Sequence, residues 1–128
     1  MDEQEFKRRT KDVGLRIIKL VESLPNSRTS DVIGRQLLRS GLAIGANYRP
    51  ACRAVSRANM ISKLGDVEEE ADEAVHWMEM LIESRLVPEN KLRSLMNEVN
   101  AIVAMTVASI RTLRRKNPKS KTQNPKSP

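Results

Sequence analysis

A chain of 128 residues, of which 39% are hydrophobic, 30% charged and 2% aromatic, is long enough for one domain with a real core, and its aliphatic composition argues against a β-sandwich. A single cysteine, Cys52, excludes an intramolecular disulfide and favours a reducing compartment. The formal net charge of +7 is concentrated at the end of the chain, where residues 111–128 hold seven basic and no acidic residues.

The first twelve residues, MDEQEFKRRTKD, are acidic and then basic, without the apolar centre of a secretory signal. No run approaches the roughly 18 apolar residues of a membrane span. We therefore expect a cytoplasmic protein that needs no cofactor and no membrane partner.

Apolar residues recur at helical spacing through most of the chain. The first predicted helix covers residues 3–24 and is stopped by Pro25, and the second covers residues 30–49, with Thr29 or Ser30 as its N-cap. Pro50 has no N–H and disfavours helical geometry in the residue before it, so the second helix should end or kink there.

The third predicted helix covers residues 57–85, with Ser56 as its N-cap, and the fourth opens at Pro88 or Glu89 and ends near residue 116. Four helices joined by short turns predict an all-α fold, an antiparallel up-down-up-down bundle over residues 1–116. Residues 117–128, NPKSKTQNPKSP, combine three prolines with lysines and lack large apolar side chains, which predicts a disordered basic tail.

One face of the second helix consists mainly of small residues that allow a neighbouring backbone to approach closely. The residues expected to pack helices, or subunits, together are Ser40, Gly41, Ile44, Gly45, Asn47 and Tyr48, with Trp77 from the third helix.

Charge alternates by segment within the bundle. Residues 28–63 contain seven basic residues and one acid, Asp31, whereas residues 66–83 contain eight acids and no lysine or arginine. Such blocks suggest pairing between helices or between subunits. Glu70 and Arg39 are the pair that we expect to form a structural ion pair, which would fix register more than it would add stability.

The basic residues allow two interpretations. Those on the second helix and after it could bind phosphates, to which arginine donates two parallel hydrogen bonds. Alternatively, they form ion pairs with the acidic third helix of the same or a neighbouring subunit. Those at the end of the chain have no acidic residues nearby and are the better candidates for a nucleic-acid backbone, bound with little sequence specificity because Tyr48 alone would offer a stacking ring. The candidates are Arg35, Arg39, Arg49, Arg53, Arg111, Arg114, Arg115, Lys116, Lys119 and Lys121.

The sequence gives little indication of a catalytic or a metal site. Glu73 and His76 form a Glu-x-x-His element, but His76 is the only histidine, so one chain cannot complete a di-iron site. Cys52 has no evident base beside it to make it a nucleophile. We therefore expect a protein that is not an enzyme and holds no metal.

Five segments between Gln36 and Asn90, QLLRSG, IGANYR, CRAVSRANMISKLG, VEEEADEAVHW and LVPEN, resemble a bacterial group of four-helix bundle proteins, the 23S rRNA intervening sequence protein family. The group is also similar to the accessory protein of diversity-generating retroelements. The resemblance implies a small bundle that assembles into rings, commonly pentamers, and a basic surface for nucleic acid. Pro50 departs from the family pattern.

The sequence thus supports two hypotheses. The first is a non-enzymatic, oligomeric four-helix bundle that binds RNA or DNA backbones through its basic surface and tail. The second is a homo-oligomeric protein-interaction scaffold in which the charged blocks only hold subunits together.

Overall fold

Four helices make up the computed structural model, which describes residues 2–116. They are α1 (Glu3–Glu22), α2 (Arg28–Cys52), α3 (Arg57–Glu83) and α4 (Glu89–Arg115), and no strand is found within these described residues. The prediction of an all-α four-helix bundle is confirmed. The predicted tail, residues 117–128, lies outside the described residues.

Contacts between α1 and α2 show that the two helices run antiparallel. Gly41 faces Ile17, and Gly45, one turn later in α2, faces Thr10, which is earlier in α1. The short connections and the packing of α2 on α3, α3 on α4 and α1 on α4 complete an up-down-up-down arrangement.

Side-chain caps fix the starts of the first three helices. Asp2, Ser27 and Ser56 each accept a hydrogen bond from the backbone N–H three residues later. The N-cap of α2 is therefore Ser27 rather than the predicted Thr29 or Ser30. Ser30 already lies inside the helix, where its N–H donates to Ser27 Oγ.

The end of α2 differs from the prediction, because the helix continues through Pro50 to Cys52. Proline removes one N–H and with it one hydrogen bond to the preceding turn, a local cost that does not prevent two more helical residues from following. The following N–H groups of Arg53 and Ala54 donate to the carbonyls of Pro50 and Ala51 and close the helix.

The core is aliphatic, as the helical spacing predicts. Its completely buried large side chains come from all four helices and include Ile17, Leu37, Ile44, Met78 and Ile102. Gly41 lets α1 and α2 approach closely, since a Cβ there would collide with the buried Ile17.

Candidate nucleic-acid interface

The up-down-up-down topology brings four chain segments to the same end of the bundle: the start of α1, the end of α2, the start of α3 and the end of α4. The rings of Phe6 and Tyr48 lie 4.4 Å apart, which places the first turn of α1 beside the last turns of α2. Arg9 Nη1 lies 3.7 Å from Met105 Sδ, which places the same part of α1 beside the second half of α4.

These segments carry most of the excess positive charge. Residues 2–11, 45–63 and 105–116 contain twelve basic residues and three acidic ones, Asp2, Glu3 and Glu5. The twelve, which we call the basic end, are Lys7, Arg8, Arg9, Lys11, Arg49, Arg53, Arg57, Lys63, Arg111, Arg114, Arg115 and Lys116. The opposite end, residues 17–35 and 78–94, is almost neutral, with six basic and five acidic residues.

Most of the basic end is available to a partner. Nine of its twelve side chains are exposed to solvent, the exceptions being Lys7, Arg9 and Lys63, which are half-buried. Six of the ten predicted nucleic-acid contacts belong to this end: Arg49, Arg53, Arg111, Arg114, Arg115 and Lys116. Lys119 and Lys121 lie outside the described residues.

The other two predicted contacts, Arg35 and Arg39, lie away from the basic end and are engaged by acids of their own chain. Arg35 Nη1 is 2.8 Å from Asp31 Oδ2, one turn earlier in α2. Arg39 reaches across to α3, where it lies 3.3 Å from Glu70 and also contacts Glu73. The structure thus places Arg39 and Glu70 together, and adds a second carboxylate that the sequence reasoning did not single out.

Trp77 extends this network along α3. Its indole Nε1 donates to Glu73 Oε2 over 3.1 Å, and its ring meets His76 edge to face. Hydrogen bonds from Arg39, and then from Trp77, lower the pKa of the Glu73 carboxyl. Trp77 therefore supports a contact between α2 and α3 within one chain.

The small residues of α2 also face inward. Ser40, Gly41 and Ile44 are buried, Gly41 and Gly45 face α1, and Ser40 Oγ donates to the carbonyl of Gln36. Asn47 is half-buried and donates to the carbonyl of Ala43. In this structure these residues pack helices of the same chain.

Tyr48 does not offer a ring to bases. Its side chain is 8% exposed and packs against Phe6, and burial raises the pKa of its hydroxyl, which also interacts with Cys52. Without an exposed ring at the basic end, bases would find no aromatic side chain there on which to stack.

Arg9 and Glu98 form an ion pair across α1 and α4 that the sequence reasoning missed. Arg9 donates from Nε and Nη2 to the two carboxylate oxygens of Glu98, each over 2.7 Å. This fork geometry lowers the pKa of Glu98 and raises that of Arg9. The partners are 89 residues apart in sequence, and only the register of α1 on α4 brings them together.

We expect this pair to contribute to the pH dependence of stability. The folded-state pKa of Glu98 lies below the unfolded value of about 4.3, so its stabilisation is present at neutral pH and is lost as the pH falls through the folded-state pKa. Arg9→Gln should lower the free energy of unfolding by about 1–2 kcal/mol at pH 7 and reduce its fall in acid.

Urea unfolding of the wild type and of Arg9→Gln between pH 7 and pH 3 measures this effect. The matched control is Arg35→Gln, which breaks the exposed pair with Asp31 and should cost less than about 0.5 kcal/mol. Equal losses for the two variants would contradict a special role for the Arg9 pair.

Between residues 2 and 116 no helix is long and apolar enough to cross a membrane. The same residues contain no group of three histidine, cysteine or carboxylate side chains that could hold a metal ion.

Comparison with known proteins gives a family and a solved structure. Residues 2–108 match the family model described as 23S rRNA-intervening sequence protein. A crystal structure from Bacteroides thetaiotaomicron, described as a protein of unknown function from the S23 ribosomal protein family, is 33% identical with a TM-score of 0.80. The similarity covers 87% of this chain and 99% of that one. The comparison with curated proteins gives no match.

Proposed function

Since the chain belongs to the family of 23S rRNA-intervening sequence proteins, we propose that it is a non-enzymatic, homo-oligomeric bundle in the cytoplasm that binds the phosphate backbone of RNA or DNA. The observation that carries this proposal is the basic end, where twelve basic residues on or beside the four helices outnumber three acids of the same segments and Glu98, which pairs with Arg9. The family resemblance favours a pentamer.

The geometry suits a backbone rather than bases. Nine of the twelve basic side chains are exposed near helix ends, where they can replace counterions around phosphates without entering a groove. Arg111, Arg114 and Arg115 are exposed on the last turns of α4, and Arg53 and Arg57 flank the neighbouring connection from α2 to α3. Binding should therefore be strongly salt-dependent and nearly independent of sequence.

Arg35 and Arg39 do not belong to the proposed contact surface. Glu70 and Glu73 hold Arg39 across α2 and α3, and Arg35 lies beside Asp31, so that a phosphate at either arginine would face carboxylates. Because these pairs form within one chain, they do not support the second hypothesis, in which the charged blocks hold subunits together.

The contribution of the basic tail is tested by ending the chain at Lys116. The shortened chain lacks Lys119, Lys121 and Lys126, so we expect the slope of log K against log salt to become less steep by about 2–3. Fluorescence anisotropy with a labelled 20-base-pair DNA duplex measures both slopes. An unchanged slope and affinity would exclude the tail from binding and leave the basic end as the sole contact.

A further inference from the structure

An open groove runs between α1 and α2 on the outside of the bundle. Its volume is about 820 Å³, and small residues, Gly14, Gly45 and Ala46, leave room along its floor. Leu15 and Leu42, which also line it, are 57% and 44% exposed, so the groove presents apolar surface to solvent.

The α1 side of this groove is a ridge with charge at one end and apolar side chains at the other. Arg8, Lys11, Leu15 and Ile18 follow one another at spacings of three, four and three residues, so they lie on one face of the helix. All four are exposed, and neither Arg8 nor Lys11 forms an ion pair with the part of the chain that the structure describes.

The outer face of α3 carries a ridge of complementary character. Glu69, Asp72, His76 and Met80 recur at spacings of three, four and four residues and are all exposed. Arg39 engages Glu70 and Glu73 instead, so that Glu69 and Asp72 are left without an ion pair among the described residues.

The two ridges match in length and in order. From Arg8 to Ile18 is ten residues, about 15 Å, and from Glu69 to Met80 is eleven, about 16 Å. When the two ridges lie side by side and their helices run in the same direction, Glu69 and Asp72 meet Arg8 and Lys11. Met80 then meets Ile18. In the opposite direction the acids would meet the apolar half of the groove.

We propose that the groove between α1 and α2 receives the Glu69–Met80 ridge of α3 from a second copy of this chain. This inference rests on the self-association in the proposed function and names the two surfaces that make it. An apolar floor rimmed by arginine and lysine fits an acidic, partly apolar helix better than it fits a phosphate backbone, which would leave Leu15 and Leu42 against polar groups.

The proposed contact also orients the assembly. It joins two different surfaces, so each copy can bind one neighbour on each side, which produces a ring when the rotation closes. Because α1 and α3 run in the same direction within one bundle, neighbouring bundles then point the same way. Apart from Arg8 and Lys11, which the contact would cover, the basic ends of all copies would lie on one face of the ring and form a continuous surface for nucleic acid.

Charge exchange tests the contact. The variant Arg8→Glu/Lys11→Glu and the variant Glu69→Lys/Asp72→Lys should each weaken association at least about 100-fold and give monomers at 20 μM protein, because like charges would face each other. The variant carrying all four substitutions should regain the wild-type mass. Light scattering on nuclease-treated protein measures the mass, and circular dichroism verifies folding.

Lys19→Glu/Lys91→Glu is the matched control, since it changes the net charge as much as Arg8→Glu/Lys11→Glu does but lies off the groove. It should keep the wild-type mass. The single variants Lys11→Glu and Asp72→Lys, and the double variant that combines them, repeat the charge exchange with smaller changes. A monomeric wild type, unchanged masses in the groove variants, or failure of the folded four-substitution variant to reassemble would overturn the proposal.

A nucleic-acid assay separates this failure from that of the proposed function. If the groove variants kept their mass and lost DNA binding, the groove would be a phosphate site and the helix contact would be wrong. If assembly follows the charge exchange while the wild type itself does not bind DNA, the contact stands and the nucleic-acid function is wrong.

Discussion

Replacing Arg111, Arg114, Arg115 and Lys116 by glutamine should weaken DNA binding roughly 100-fold at 0.1 M salt, because four phosphate contacts and the counterions they release are lost. The slope of log K against log salt should become less steep by about 3–4. All four side chains are exposed at the end of α4, so the bundle should remain folded. Anisotropy titrations of the full chain at several salt concentrations measure the effect.

The matched control neutralises four basic residues at the nearly neutral opposite end: Lys19, Arg28, Lys91 and Arg93 to glutamine. It gives the same net charge, and its affinity should stay within about threefold of the wild type, since contacts beyond a Debye length of about 10 Å are screened. Equal losses in the two variants would show that total charge, rather than the basic end, determines binding.

Gly41→Val should lower the free energy of unfolding by roughly 2–3 kcal/mol. This is the largest loss of stability that we expect from any single substitution considered for this chain. Gly41 is buried where α2 crosses α1, and a new Cβ would collide with Ile17, which has no exposed surface into which it could move. The gain in helix propensity from glycine to valine is too small to offset this.

Gly65→Val is the matched control, because the position is also inside a helix but has open space around it. Its effect should stay within about 0.5 kcal/mol of zero. Chemical unfolding of both variants gives the comparison, and a Gly41→Val protein as stable as Gly65→Val would contradict the close approach of α1 and α2.

The fold could be predicted from the sequence because its determinants are local. Apolar spacing, Pro25, Ser56 and Pro88 each act within one or two turns, and they gave the helices to within a few residues. Pro50 misled the prediction, since one proline costs a hydrogen bond to the preceding turn without ending the helix, and only the structure shows that α2 continues for two residues beyond it.

The candidate site was less predictable because it depends on which helix ends meet. Arg49 and Arg114 are 65 positions apart, and their common location follows from topology rather than from spacing. Helical spacing likewise identified Tyr48 as a ring on α2 but could not show that Phe6 covers it. Arg39 and Glu70 were predictable as a pair because both lie at the edges of apolar stripes.

The salt dependence of DNA binding by the nuclease-treated full chain tests the central proposal most directly. With six or more phosphate contacts at the basic end, log K for an arbitrary 20-base-pair duplex should fall linearly with log salt, with a slope of about −5 or steeper. A slope near zero, or no binding at 50 mM salt, would contradict the proposal that the basic end binds a nucleic-acid backbone.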